Sequence, residues 1–338
     1  MKAVVLRGAF GIENMVLTDL PDPIPGPGQA LVRIKAASLN YRDWLMVMGR
    51  YNPKQPLPFI PLSDGAGEVV ALGPGAQGLR IGDRVMPLFA QGWLAGPPTK
   101  DRLRQTLGGP FDGVLTELAV FPCESLVPIP TGLSNVQAAT LPCAALTAWT
   151  ALFGSRRVQP GETVLVQGTG GVSIFALQFA VLAGARVIVT SSSSAKLERA
   201  TALGAWATIN YRETPAWGRK AKALTDGQGV DYVVEVGGAA TIQESLQALA
   251  PGGHMAVIGV LSGGVGTLSL LPVLMQAITL QGVLVGHRDG FTAMNRAIAA
   301  HELQPVIDRV WPWQQAGQAL QSLETAQHFG KICLDFDA

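Results

Sequence analysis

The 338-residue chain has few of the two residue types that bind zinc most often. It contains four histidines, none of them before His254, and three cysteines. Cys123, Cys143 and Cys333 are odd in number and too widely spaced for a disulfide framework or a CxxC zinc motif. We therefore expect reduced thiols, a cytoplasmic protein and no metal site built on these residues.

Charged residues and long apolar runs are also scarce. Charged side chains make up 14% of the sequence, and 25 basic residues against 24 acidic ones give a formal net charge of +1. This balance lacks the basic surplus of a nucleic-acid-binding protein. No run approaches the roughly 18 uninterrupted apolar residues of a membrane span. We therefore expect neither a nucleic acid nor a membrane as a partner. A hydrophobic content of 48% at this length predicts two domains with large buried cores.

The order of the predicted elements indicates an α/β fold with two kinds of domain. Short β segments separated by Gly and Pro fill the first 125 or so residues, which is typical of a β-rich domain. From about Pro128, apolar strands alternate with helices, as in a doubly wound parallel sheet covered on both faces. The tail returns to the first style. We predict a discontinuous first domain, residues 1–126 and 288–338, around a second, residues 127–287.

A glycine-rich turn between a strand and a helix predicts a phosphate site. Residues 163–173 read TVLVQGTGGVS, and Ser173 stands where the GxGxxG pattern has its third glycine. Glycines let the backbone approach a pyrophosphate, and the amides of the following helix bind it. A merely structural turn is the alternative, but the strand–turn–helix setting favours dinucleotide binding. The residues expected at the cofactor are Gly168, Gly170, Gly171 and Val172.

The segment that follows the next strand favours NADP(H) over NAD. An NAD site usually carries an acidic residue about 20 positions after the first glycine. Here residues 189–196 read VTSSSSAK, and the first acid is Glu198. Hydroxyl groups and a lysine suit a 2′-phosphate, which a carboxylate would repel. A serine-capped, solvated helix start is the alternative.

The chain resembles the medium-chain dehydrogenase/reductase superfamily, and is similar to its zinc-independent quinone oxidoreductase and enone/enoyl reductase branches. The segments that carry the resemblance run from end to end: MKAVVL, AASLNYRDW, GDRVMP, LPCAALTAWTAL, VQGTGGVS, TINYRE, PGGHMAVIG and FGKICLDF. It implies a Rossmann domain, a GroES-like catalytic domain and a homodimer paired near residues 281–286. Zinc-bearing members have Cys and a His-Glu pair where this chain has Asn40 and Ser63-Asp64, so no catalytic zinc is expected.

The same resemblance implies which residues face the cleft between the lobes. Tyr51 would donate to a carbonyl or enolate oxygen, and Asn40 would orient the substrate or the nicotinamide ribose. A half-buried tyrosine and a turn-forming asparagine are the alternatives. The resemblance also implies a substrate cleft lined by Tyr41, Ser63 and Asp64.

Cofactor contacts carry over residue by residue. Thr147 resembles a residue at the nicotinamide end, and Lys331 one close to the cofactor, although an edge lysine guarding the last strand is the alternative. Gly237 and Gly259 end successive strands, where ligands gather in such sheets. The residues implied at the 2′-phosphate and adenine are Ser191, Ser192, Lys196 and Tyr211.

These features together predict an NADPH-dependent reductase of an activated C=C bond. The expected partner is a small hydrophobic enone, carbonyl or quinone. A quinone reductase, a zinc-free carbonyl reductase and a non-catalytic NADPH-binding protein remain the alternatives. Residues 89–109 show no clear period and have no predicted element.

Overall fold

A computed structural model describes residues 1–338 and divides them into two compact units, each treated separately below. Unit 1 comprises Met1–Leu146 and Val285–Ala338, and unit 2 comprises Thr147–Leu284. These units confirm the predicted α/β class. One unit contains a parallel sheet, and the other is β-rich and discontinuous in sequence.

The strands are β1 (Lys2–Leu6), β2 (Met15–Asp19), β3 (Gln29–Ser38), β4 (Asp64–Leu72), β5 (Arg84–Pro87), β6 (Leu118–Pro122), β7 (Leu126–Pro128), β8 (Thr163–Gln167), β9 (Arg186–Ser191), β10 (Ala207–Asn210), β11 (Val230–Glu235), β12 (Leu249–Val257), β13 (Thr279–Gly282), β14 (Ile307–Pro312) and β15 (Lys331–Asp335). The helices are α1 (Tyr41–Val47), α2 (Lys100–Arg104), α3 (Asn135–Ala138), α4 (Leu146–Phe153), α5 (Gly171–Leu182), α6 (Ser194–Ala202), α7 (Trp217–Leu224), α8 (Ile242–Ala248), α9 (Leu270–Met275), α10 (Arg288–Ala300) and α11 (Ala316–Glu324).

Unit 1 is organised around β3. This strand alternates between buried and more exposed positions, so that Ala30, Val32 and Ile34 enter the core. The sheet order is β14-β15-β3-β4-β5-β7, with β6 also paired to β3 and a separate β1-β2 hairpin. The tail belongs to this unit because β15 pairs antiparallel with β3, placing Cys333 opposite Ser38.

The first domain boundary lies later than the predicted 126/127. Residues 127–146 belong to unit 1 because β7 adds to the edge of its sheet, where Val127 pairs with Met86 of β5. The backbone amide of Cys143 also donates to Asp64 in the same unit. The sequence placed these residues in the second domain because the change to a helical pattern precedes the change of unit.

Unit 2 is a six-stranded parallel sheet of order β10-β9-β8-β11-β12-β13. The chain runs outward from β8 in one direction and outward from β11 in the other, so the order reverses between these two strands. All five residues of β8 are buried, as expected of a parallel strand covered on both faces. In such sheets ligands bind at the reversal point, beyond the carboxyl ends of the strands.

One helical stretch, residues 135–153, is long and apolar enough to cross a membrane by length and composition alone. It comprises α3, a π-helical segment at Leu141–Ala145 and α4, with two turn residues after α3, and it contains no uninterrupted apolar run of that length because polar residues recur along it. Within the protein, 67% of its most apolar window is buried, as in the core helix of a globular fold.

Candidate functional site

A buried polar cluster lies in unit 1, where β3 leads into α1. Asn40 is the N-cap of α1 and forms a capping box with Asp43, whose Oδ2 accepts the Asn40 amide at 2.9 Å. Lys331, only 3% exposed, donates from Nζ to Leu39 O and to Asn40 Oδ1, each at 2.6 Å. The ammonium group therefore fixes which way the Asn40 amide points.

The hydrogen bonds continue from Asn40 to the start of β4. Asn40 Nδ2 donates to Ser63 Oγ at 3.2 Å, and Ser63 Oγ donates to Asp64 Oδ1 at 3.2 Å. The Cys143 amide donates to Asp64 Oδ2 at 3.1 Å. A continuous chain of hydrogen bonds thus joins Asn40, Ser63 and Asp64, which the sequence analysis named together, to Lys331, which it assigned to the cofactor.

Burial shapes the electrostatics of this cluster. It raises the pKa of Asp64 to about 6, with the nearby Asp43 acting in the same direction and Lys331 in the opposite one. Burial also raises the pKa of Asp43, against the effect of Arg42. Two buried carboxyl groups therefore lie near one buried lysine, and one of them exchanges its proton close to neutral pH. Such perturbed groups concentrate at functional sites.

The donors of this cluster do not fit a zinc ion. Zn²⁺ prefers Cys sulfur and His nitrogen in a tetrahedral set. In this cluster, the Asn40 amide and the Ser63 hydroxyl stand where a zinc site would need Cys or His ligands. The ammonium of Lys331 lies 2.6 Å from the Asn40 amide oxygen, where it would repel a metal cation. No group of three or more His, Cys, Asp or Glu side chains lies close enough to hold a metal.

Tyr51 and Tyr41 stand apart from the hydrogen bonds of the cluster. Tyr51 is 49% exposed, and its ring lies over the Arg42 guanidinium, 5.0 Å from Cζ to the ring centroid. Arg42 Cζ also lies 5.0 Å from the centroid of the Phe89 ring, and the two Nη atoms of Arg42 donate to Leu107 O and Gly109 O. Arg42 therefore joins Tyr51 to the 89–109 segment, which the sequence left unplaced. Tyr41 stacks on Trp44, with ring centroids 5.4 Å apart.

Three residues of this region were not predicted to belong to the site. Asp43 was detectable, because an Asn followed three positions later by Asp matches the capping-box spacing. Arg42 and Cys143 carried no usable signal, since their partners are backbone groups or rings from remote segments.

In unit 2, the glycine turn forms an open cradle at the end of β8. Gly168 has a φ of +71°, and a side chain there would meet nothing nearer than Ser173 Oγ at 3.9 Å. The 12-residue α5 starts at Gly171 after Gly170, with no side-chain cap on its first amides. Ser173 Oγ donates to Gln167 O at 2.7 Å and so braces the turn. The free space, the uncapped amides and the helix N-terminus fit a pyrophosphate. Val172, also expected at the cofactor, lies in the first turn of α5.

The serine run and Tyr211 meet at the neighbouring strand ends. Ser191 closes β9, and its carbonyl accepts the Tyr211 amide at 3.1 Å just beyond β10. Ser193 caps α6 by accepting the Lys196 amide at 3.5 Å, so the capping alternative holds as well. The structure thus brings to one edge Ser191, Ser192, Lys196 and Tyr211. Glu213 was missed; it accepts a hydrogen bond from Asn210 Nδ2 at 2.6 Å.

Gly237 and Gly259 follow β11 and β12, and both are needed for packing. A Cβ atom on Gly237 would lie 2.3 Å from Thr241 Oγ1, and one on Gly259 would lie 2.3 Å from Val236 O. Gly237 is therefore packed against its own turn and Gly259 against the backbone that follows β11, and neither position admits a side chain. Thr147 is buried, near the start of α4.

Comparison with known families gives two matches, in separate parts of the chain. The family model for the alcohol dehydrogenase GroES-like domain matches residues 26–131, and the model for zinc-binding dehydrogenases matches residues 171–300. These matches confirm the predicted resemblance and the two domain types.

Individual relatives match almost the whole chain. A zinc-type alcohol dehydrogenase-like protein of Schizosaccharomyces pombe is 44% identical over 317 residues, 92% of each chain. Acryloyl-coenzyme A reductase of Metallosphaera sedula is 29% identical over 346 residues, 99% of each chain.

Among solved structures, an NAD-dependent alcohol dehydrogenase is 38% identical, with a TM-score of 0.91 and 99% of both chains covered. A mycobacterial protein complexed with NADPH is 28% identical, with a TM-score of 0.82 and the same coverage.

Proposed function

We propose that this chain, which belongs to the medium-chain dehydrogenase/reductase family of alcohol dehydrogenase-like oxidoreductases, reduces an activated C=C bond. In this proposal the enzyme depends on NADPH and does not depend on zinc. The observation that carries the proposal is the buried chain Lys331–Asn40–Ser63–Asp64, which supplies a cation and hydrogen-bond donors but no metal-binding set. Similarity to acryloyl-coenzyme A reductase supports an enone or enoyl acceptor.

Residues of unit 2 would hold the cofactor. The amides after Gly168 would bind the pyrophosphate, while Ser191, Ser192 and Lys196 would bind the 2′-phosphate. Thr147, Gly237, Gly259 and Tyr211 stay proposed contacts. When bound, NADPH supplies the hydride. The relatives include both NAD and NADPH proteins, so the choice rests on this chain's serines and lysine and on the lack of an acid before Glu198.

Residues of unit 1 would act on the substrate. As a hydride reaches the β-carbon, negative charge develops on the conjugated carbonyl oxygen, and donors placed there lower the barrier. Tyr51 would donate to that oxygen or return a proton to the α-carbon. Asn40 Nδ2 donates to Ser63 and Lys331 fixes the orientation of its amide, so Asn40 would position the substrate beside the cluster. Tyr41, Ser63 and Asp64 would line the same site, and we propose Lys331 as a neighbour of the cofactor.

A homodimer would cover an apolar surface of unit 2. Exposed side chains include Val265 at 95%, Leu274 at 76% and Met275 at 73%, and β13 is an edge strand. Large exposed apolar patches and free strand edges usually mark interfaces. The strand ends at Gly282, four residues before the predicted end at residue 286.

The first test is a fluorescence titration of the wild-type protein with NADPH and NADH, compared with Lys196→Ala. Loss of one charge-assisted phosphate contact is expected to weaken NADPH binding by about 1.5–3 kcal/mol and NADH binding little. Lys220→Ala, an exposed lysine on α7, is the matched control. Equal binding of both cofactors, unchanged by Lys196→Ala, would refute NADPH preference.

The second test separates the reaction classes. NADPH oxidation is followed with an enone, an enoyl thioester, a quinone and an aldehyde at equal concentrations. Fastest turnover of the enone or thioester supports the proposal, and fastest turnover of the quinone or the aldehyde favours those reductases. Tight NADPH binding with no turnover on any acceptor would indicate a non-catalytic binding protein.

A further inference from the structure

Glu235, the last residue of β11, is fully buried and accepts five hydrogen bonds. Its Oε1 accepts the amides of Gly237 at 2.7 Å and Gly238 at 2.9 Å, and the Thr241 hydroxyl at 2.7 Å. Its Oε2 accepts Gln167 Nε2 at 2.6 Å and Ser245 Oγ at 2.5 Å. Three of these five donors lie in residues 236–241, which we call the β11 turn.

Gln167, the last residue of β8, links the same turn to the phosphate cradle. Its Oε1 accepts the amides of Val236 at 3.3 Å and Gly237 at 3.2 Å. Its backbone carbonyl accepts the Ser173 hydroxyl that braces the glycine turn. The side chains that end β8 and β11 therefore join the turns on the two sides of the reversal point.

The β11 turn in turn holds residues 259–263, which we call the β12 loop. Gly237 O accepts the Ser262 amide at 2.7 Å and the Ser262 hydroxyl at 2.8 Å. The Ala239 amide donates to Gly263 O at 2.9 Å. The conformation of both segments thus depends on groups anchored to Glu235.

Position in the sheet indicates which half of a dinucleotide these segments would meet. The proposed 2′-phosphate residues lie at β9, on one side of the pyrophosphate cradle. A dinucleotide that crosses the reversal point must place its other half over β11 and β12. Glu235 and Gln167 are 0% and 5% exposed, so they act on that half through the backbone they hold.

Resting on the proposed function, we infer that Glu235, with Gln167, is a positioning residue for the nicotinamide half of the cofactor. The carboxylate suits this role because it is an acceptor on both oxygens. In Glu235→Gln, one oxygen becomes an NH₂ group that faces N–H or O–H donors and cannot accept from them.

The test compares two ligands that share the adenosine half. NADP⁺ carries the nicotinamide ribose, and adenosine 2′,5′-bisphosphate lacks it. We expect Glu235→Gln to weaken NADP⁺ binding by about 10- to 100-fold in calorimetry. Binding of adenosine 2′,5′-bisphosphate is expected to change less than about twofold, since Ser191 and Lys196 lie on β9 and α6.

Glu244→Gln is the matched control, because Glu244 accepts a backbone amide, that of Gly218 at 2.8 Å, between α7 and α8. It is expected to leave the ratio of the two dissociation constants unchanged. Thr241→Ala removes one donor of Glu235 and serves if Glu235→Gln does not fold; it is expected to weaken only NADP⁺, by about 3- to 10-fold.

The deciding variant is Glu235→Gln if it folds, and otherwise Thr241→Ala. If that variant weakens the binding of both ligands equally, or of neither, the inference is overturned and the proposed function stands. A wild-type protein that binds neither ligand overturns the nucleotide site itself and this inference with it. Selective loss of NADP⁺ binding, absent in Glu244→Gln, supports it.

Discussion

Replacing Asp64 by Asn is expected to change how the stability of the protein depends on pH. Burial raises the pKa of Asp64 from 3.8 to about 6, so the folded protein binds this proton more tightly than the unfolded chain does. Between these two values the unfolded chain loses the proton first. The free energy of unfolding therefore falls as pH rises through the interval, and becomes level above it.

The size of the effect follows from the interval. From 3.8 to about 6, at about 1.4 kcal/mol per pH unit, ionisation of Asp64 removes about 3 kcal/mol. Roughly half of that loss falls between pH 5 and pH 8. The side chain introduced by Asp64→Asn cannot ionise, and its amide can still accept the Cys143 N–H with the oxygen and donate to Ser63 with the nitrogen.

The assay is urea denaturation of wild type and Asp64→Asn at pH 5, 6, 7 and 8, followed by tryptophan fluorescence. The wild type is expected to lose about 1–2 kcal/mol relative to the variant from pH 5 to pH 8. Asp112→Asn, at an exposed carboxylate, controls for removing one charge. A pH-independent difference, or one that favours the wild type increasingly as pH rises, would refute the reasoning about the cluster.

Three further outcomes are expected. Arg42→Ala should lower the free energy of unfolding by about 2–4 kcal/mol in urea denaturation and raise the KM of the acceptor, because two backbone bonds and two ring contacts are lost; an unchanged KM would separate Tyr51 from the substrate. Leu274→Glu should reduce the light-scattering mass from that of a dimer to that of a monomer, whereas a monomeric wild type would contradict the proposed interface. Burial raises the pKa of all three thiols, Cys123, Cys143 and Cys333. None of them should therefore react with Ellman's reagent at pH 8 until urea is added. Fast reaction of any thiol in the native protein would contradict this expectation.

Elements with a clear period were predictable. The bounds of β8 are predicted to the residue, because its central residues 164–166 are apolar, as expected of a strand buried on both faces. Strand β2 was missed, since its exposed residues show no apolar alternation and it is held by pairing with β1. Helix α7 was also missed, because its eight residues show the helical period over only about two turns.

The candidate site was predictable as residue types and only in part as an arrangement. Asn40, Ser63 and Asp64 were named together, and hydrogen bonds join them. Lys331 was assigned to the cofactor alone, because sequence spacing gives no measure of how a strand 291 residues away pairs with β3. Glu235 was not predicted as a site residue, because an acidic residue at the end of an apolar strand looks like an ordinary strand boundary.

The return of the tail to unit 1 is therefore a requirement of the site as much as of the fold. Asn40, Asp64 and Lys331 come from three separated segments, and only the pairing of β15 with β3 brings the lysine to the other two. Without that strand, Leu39 O and Asn40 Oδ1 would lose their buried donor, and the cation that opposes burial at Asp64 would be absent. Breaking a buried charged network of this kind costs about 3–5 kcal/mol. The discontinuous order of the chain thus couples completion of the sheet to assembly of the polar cluster.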